Sequence, residues 1–355
     1  MQQLVRTTDP LNSEPALDQL AREIVTPADL FYIRNHGTVP DIDPQRFTLS
    51  VGGAVQKPLE LSLSDIKKRF EKVSVMATLQ CAGNRRYEMA AVKPIPGEVE
   101  WGAQAIGNAI WSGARLRDVL RVAGIQREAR HAAFLGADVI EKHGDRIGFG
   151  ASVSLEKATG PETLLAYEMN GMPLEPLHGF PLRGVVPGFI GARSVKWLTQ
   201  ITLQAEPSDN FYQALSYKTF PPDVTAESAD WRAGTTLEKV AVNAVISRPR
   251  GGERLASGPV TICGYAIGDG GSAVARVDIS TDGGRTWAQA DLLGKSEPWR
   301  WNLWEARVEL HAGSHEIVAR TCDADGNAQP QDGAAIWNFK GYGWNAWHRI
   351  RVDVA

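Results

Sequence analysis

Hydrophobic and polar positions divide the chain into three textures. Through the first thirty residues they show no period, and Pro10, Pro15 and Pro27 interrupt them, so this stretch reads as a polar, irregular arm. From residue 31 to about 206 the pattern mixes α and β. Residues 47–53 predict a strand ending at Gly52 and Gly53, and Leu63, Ile66 and Phe70 share one helical face behind a capping Ser62. Val73, Val75, Ala77 and Leu79 then alternate with Ser74, Met76 and Thr78, a strand that delivers Cys81 onto the loop at its end. Leu116, Val119, Leu120 and Ala123 recur at helical spacing, with Gly124 placed to stop the helix. Residues 163–169 read as a strand entering an Asn170-Gly171 turn.

Beyond residue 206 a turn-rich connector, 207–239, carries Pro207, Pro221 and Pro222. From residue 240 the helical period vanishes. Strand-like runs recur near 240–246, 260–266, 273–280, 287–293, 303–310 and 314–321, with a hairpin turn over 280–287. The pattern therefore predicts an α+β protein: a mixed α/β domain over 31–206 and an all-β, Ig-like sandwich over 240–355. The sandwich lacks the Cys…Trp…Cys core of antibody domains.

Composition removes several function classes. The 38 basic and 41 acidic residues give a net charge of −3, whereas a dedicated nucleic-acid binder shows a basic excess. No apolar run approaches the ~20 residues of a membrane helix. The start lacks the apolar core of a signal peptide, so the expected compartment is the cytoplasm, or the periplasm if a leader has been removed. Cys81, Cys263 and Cys322 are widely separated and form no CxxC, which excludes a disulfide framework, a zinc ribbon and a c-type haem site. The GDGGSA segment at 268–273 links two strands and opens no helix, so it is not a dinucleotide site. His311 and His315 flank Gly313 in a turn rather than on a helix.

Four strings concentrate cations among Gly, Pro and aromatic residues: FYIRNHG (31–37), LQCAGNRR (79–86), HGFPLRGVVPGFIGARSVKW (178–197) and YKTFPP (217–222). Glycines let backbone N–H groups approach an anion, and guanidinium groups bind one bidentately, so together they suggest an anion pocket. Cys81 precedes two arginines. Positive neighbours favour a thiolate, and the residues alone leave open a nucleophile, a redox thiol, a soft-metal ligand or an ordinary loop cysteine.

With the C-terminal WNFKGYGWNAWHRIRV, these strings resemble the sulfite oxidase family of molybdenum-cofactor enzymes, from about residue 31 to the C-terminus. The resemblance implies a molybdopterin domain followed by an Ig-like dimerisation domain. It makes Cys81 the thiolate ligand of molybdenum and puts Tyr32, Arg34, Asn35, His36, Asp138, His178, Arg183, Ser194 and Lys196 on the pterin cofactor. Arg34, Arg86, Tyr217 and Lys340 are implied to face the substrate. Lys340 stands where the family pattern has an arginine, and a point-like ammonium lacks the planar fork of that group. Ser216 replaces an acid of the vertebrate pattern. Related nitrate reductases carry methionine at the Lys340 position, so the retained cation favours sulfite, with nitrate or another small oxo-substrate as the alternative. No haem segment is expected within this sequence. The resemblance thus implies a homodimer oxidising sulfite or a similar oxyanion and passing electrons to an external acceptor, a cytochrome c-type protein or oxygen.

Overall fold

The computed structural model describes residues 3–142 and 144–355, so the first two residues of the expected arm and His143 lie outside the described residues. Several local expectations hold for local reasons. Ser62 caps the helix Leu63–Arg69 through a reciprocal bond with Asp65, an arrangement contributing about 1 kcal/mol. The helix Leu116–Ala123 ends at Gly124, whose φ of 71° a side chain would resist. Asn170 and Gly171, at φ 53° and 81°, turn the chain after the strand Leu164–Met169. The strand Lys72–Gln80 pairs along its whole length with Ile106–Arg115, which in turn pairs with Leu164–Met169.

That sheet packs Ala77, Leu79 and Trp111 into a core shared with Phe31, Cys81 and the loop residue Trp101. A second five-stranded sheet runs from Gly150–Ser154 through His131–Gly136, Leu198–Gln204 and Thr48–Gly53 to Leu59–Ser62. Its Leu49, Phe134 and Ile201 are buried with the helical Val119 and Leu120 in the largest apolar cluster. The string after Lys72–Gln80 and the one leading into Leu198–Gln204 are connections of these two sheets, and residues 31–37 and 217–222 reach the same place from outside them.

The C-terminal part is the expected two-sheet sandwich, one sheet of four strands and one of five. Ile246, Ile262, Val277, Trp304, Ile317 and Val352 fill the space between them. The single expected run at 287–293 is two strands: Ala288–Gln289 joins one sheet and Asp291–Leu293 the other. Buried Ala290 marks the crossing point. The final strand, His348–Val354, was not expected, although Ile350, Val352 and Val354 alternate with polar residues. Trp299, Trp301 and Trp304 go three ways: beside the first-domain core, into the domain junction, and into the sandwich. His315 Nε2 lies 2.8 Å from the carbonyl of His311, so this pair closes a turn.

The first thirty residues correct the reading of an irregular arm. Leu4–Thr8 and Leu11–Glu14 form an antiparallel hairpin, and Leu17–Leu20 is one helical turn. Leu20 is buried with Val245, Tyr265 and Trp301 at the junction of the two domains. Glu14 accepts a hydrogen bond from the Gly102 N–H at 2.8 Å and pairs with Arg6. The segment is held by long-range packing and a buried carboxylate, which a search for local periodicity does not detect. No helix among the described residues is long and apolar enough to cross a membrane.

Candidate active site

Loops of the first domain and the connector line one cavity. Of the residues expected at the site, Tyr32, Arg34, Asn35, His36, Cys81, Asp138, His178, Arg183, Ser194, Lys196 and Tyr217 all line it. Arg86 and Lys340 do not.

Cys81 ends the strand Lys72–Gln80, its N–H bonded to the Ala105 carbonyl at 2.8 Å. The turn after it is braced rather than loose. Asn84 accepts from the Ala105 N–H at 3.0 Å, and Arg85 adopts a left-handed φ of 67°. That conformation turns the two arginines apart. Arg85 reaches Asn243 of the second domain at 2.6 Å and pairs with Glu88, so it joins domains and does not serve the cavity. Arg34 and Arg86 pull the Cys81 thiol pKa down, but burial outweighs them and the pKa is raised. The expectation that cationic neighbours dominate this thiol is therefore corrected, because desolvation costs a lone thiolate more than two nearby charges return.

The string Phe31–His36 is held from outside by the N-terminal hairpin. Asn12 Oδ1 accepts from the Asn35 N–H at 2.9 Å and from Arg34 Nη1 at 3.2 Å. No sequence signal pointed to Asn12, which meets this string only through tertiary packing. His36 stacks on Phe149 with centroids 4.6 Å apart, and its Nε2 lies 3.0 Å from the Tyr217 hydroxyl. Burial, reinforced by Arg34 and Lys196, holds this imidazole well below its usual pKa, so it is neutral. Gly191 allows the following loop to lie against the cavity wall, since a Cβ there would come within 2.6 Å of the Tyr32 hydroxyl.

Across the cavity, Arg183 donates to the carbonyls of His178 at 2.8 Å and Ser194 at 3.0 Å. Lys196 donates to the Leu177 carbonyl at 2.9 Å and to the Asn35 side chain. Every one of these partners is a neutral oxygen. Asp138 is the one acid among the lining residues, and its Oδ1 accepts from the Phe149 N–H at 3.2 Å. Burial lowers the Arg183 pKa to about 10 and drives that of Lys196 well below its usual value, with Arg183 adding to the effect. Burial and Lys196 bring His178 to about 4. Buried cations without acid partners gain strongly from an anionic ligand. A cavity that combines such cations with a soft sulfur at its wall fits an anionic cofactor carrying a metal that binds thiolate.

Arg86 and Lys340 sit one ring away from the cavity. Tyr342 stacks on Tyr217 with centroids 5.2 Å apart, and the Arg86 guanidinium lies 5.1 Å from the Tyr342 ring. The Lys340 ammonium is 5.5 Å from that ring and pairs with Glu98. Tyr342 and Glu98 were not anticipated; the first lies inside the quoted C-terminal string, the second in a segment with no cationic signal.

Comparison with known proteins agrees with this geometry. Residues 36–212 match the model of an oxidoreductase molybdopterin binding domain, and residues 235–355 that of a Mo-co oxidoreductase dimerisation domain. Mitochondrial sulfite oxidase of Homo sapiens is 44% identical over 364 residues, covering 99% of this chain and 66% of that protein. The chain thus spans just under two thirds of that relative's length. Sulfite oxidase of Arabidopsis thaliana is 41% identical over 372 residues, covering 99% of this chain and 93% of that one. The sulfane dehydrogenase SoxCD of Paracoccus pantotrophus superposes with a TM-score of 0.83 at 24% identity, covering 98% of this chain and 88% of its own, a likeness of fold.

Proposed function

The chain belongs to the sulfite oxidase family of molybdopterin oxidoreductases, and from that premise we propose that it oxidises sulfite to sulfate. The observation that carries this reading is the cavity itself: a buried cysteine at the end of a strand, facing Arg34, Arg183 and Lys196, whose hydrogen bonds go to neutral oxygens, with Asp138 the one acid on the lining. Cys81 would supply the thiolate for molybdenum. Arg183 and His178, with Ser194 and Lys196, would hold the polar end of the cofactor, and Tyr32, Arg34, Asn35, His36 and Asp138 would make its other contacts. When bound, this group supplies two-electron oxygen-atom transfer.

The protein contributes binding, orientation and charge. Arg34, anchored by Asn12, presents its guanidinium beside Cys81, and an anion arriving there exchanges water for a fixed donor. Tyr217 aims its hydroxyl into the same space. Neutral His36, 3.0 Å away, fixes the direction of that hydroxyl, and the stacked Tyr342 limits its swing. Arg86 and Lys340 add positive potential from one layer out, which raises the local concentration of a small oxyanion. The conversion of sulfite and water to sulfate releases two protons and two electrons. We assign the electrons to an external acceptor, a cytochrome c-type protein or oxygen, and the second domain to pairing two copies of the chain.

Sulfite-dependent reduction of ferricyanide by molybdenum-loaded protein tests the reading, with nitrate reduction by a viologen donor as its counterpart. Saturable turnover of sulfite and none of nitrate is expected. Nitrate turnover without sulfite turnover would transfer the site to the other substrate.

A further inference from the structure

Glu98 holds an unusual place among the acids of the first domain. It follows Gly97, whose φ of 81° turns the chain, and lies outside any helix or strand. Its carboxylate pairs with Lys340 and stands 3.9 Å from Arg86 Nη2. Those are the two substrate-side cations that the cavity does not expose. Its charge is also felt at Arg34 and at Tyr342.

Arg86 does not depend on Glu98 for its position, whereas Glu98 is the one hydrogen-bonding partner of the Lys340 ammonium among the described residues. Arg86 donates to the carbonyls of Val99 at 2.5 Å and Gly341 at 3.2 Å, and packs over Tyr342. A Cβ at Gly341 would come within 2.5 Å of Arg86 Nε, so the guanidinium is wedged against backbone. Lys340 lies 5.5 Å from both the Trp231 and Tyr342 rings and is 8% exposed. Glu98 is the most exposed member of the set: its side chain keeps 21% of its surface in solvent, on a turn outside any helix or strand. A carboxylate also resembles an oxyanion in charge and in the oxygens it offers to a cation.

We propose that Glu98 is an internal competitor for the substrate anion. Its carboxylate neutralises Lys340 and Arg86 in the resting enzyme and yields them when sulfite or sulfate arrives, so that it sets oxyanion affinity and speeds product release. This rests on the sulfite reading of the site. The energetic sense is simple: an anion that must displace a resident carboxylate binds less tightly than one meeting two uncompensated cations.

The test uses molybdenum-loaded wild type and Glu98→Gln, with Glu98→Asp as the variant that keeps the charge. Sulfate binding is followed by calorimetry, and sulfite oxidation by steady-state kinetics. Glu98→Gln is expected to tighten sulfate binding and lower the sulfite KM in parallel, each by about 3- to 10-fold, the worth of one exposed to half-buried ion pair. The turnover number should change less than KM, and Glu98→Asp should restore both constants towards wild type. A structural strut would behave differently, with KM rising or turnover falling while sulfate affinity stays put. Equal sulfate affinity in the wild type and Glu98→Gln, including no binding by either, overturns the proposal. If neither protein turns over sulfite, the sulfite reading fails, and calorimetry still decides the role of Glu98.

Discussion

On one side of Tyr217, Arg183 and Lys196 set their charges against carbonyls and an amide oxygen; on the other, Arg86 and Lys340 share the carboxylate of Glu98. The two groups carry the same charge but differ in compensation, neutral oxygens for one and a carboxylate for the other. Uncompensated buried charge is tolerable only where a ligand arrives once and stays, because the apo-protein carries its full desolvation cost. Charge already paired suits a ligand that must leave every cycle. The contrast therefore sorts the cations by the residence time of what they bind, the cofactor on one side and the oxyanion on the other.

The most severe way to break this scheme is at the wall both sides share. Cys81→Ser should lower sulfite-dependent ferricyanide reduction by more than about 100-fold, since it removes a ligand and not merely an outer contact. The melting temperature should hold, because the turn is braced by Asn84 and backbone bonds.

Lys196→Met probes the cofactor side alone. Molybdenum and pterin retention should fall about 10- to 100-fold, the worth of charge-assisted hydrogen bonds in a buried site. The apo-protein should become more stable, by about 1 to 3 kcal/mol in chemical denaturation, since a buried ammonium without an acid partner is gone. A less stable apo-variant would contradict the idea of strain held for a ligand.

On the substrate side, Lys340→Met strands the Glu98 carboxylate against Arg86. The sulfite KM should rise about 3- to 10-fold with the cofactor content unchanged, and Glu98→Gln should lower KM by a smaller factor in this background than in the wild type. Additive effects in the double variant would mean that the two side chains act independently.

The smallest effect is in the pH dependence of folding. His178, facing Lys196 and Arg183, and His348, facing Glu88 and Arg85, are both lowered by burial to about 4. Below about 6.5 the unfolded chain takes up protons that the folded chain refuses. Stability is therefore unaffected above that pH, falls as the pH drops through the window, and levels off near 4. Each histidine contributes a slope of at most about 1.4 kcal/mol per pH unit. His178→Asn should remove one such contribution from apo-protein titrations. An unchanged slope would show that His178 is not buried neutral.

Much of this site was legible in sequence, and the physical reason is the shortness of its loops. Cys81 and the residues from His178 to Lys196 sit within a few residues of a strand, and Tyr32 to His36 stand in a short string that sets cations among glycine and aromatic residues, so local pattern pointed to them. The sandwich was equally plain wherever strands alternate, and was missed at Ala290, where one run serves two sheets. What stayed hidden depends on packing between distant segments. Asn12 reaches Arg34 across a folded N-terminal hairpin whose own pattern has no period, and Glu98 meets Lys340 from 242 positions away. Burial also reversed the sign expected at Cys81, because desolvation cannot be read from neighbours in sequence.

Molybdenum K-edge X-ray absorption on wild type and Cys81→Ser, each assayed for metal content, tests the assignment most directly. Loss of one sulfur scatterer in the variant, with molybdenum and pterin retained, is the predicted result. An identical sulfur shell in the two proteins would contradict the placement of Cys81 on the metal.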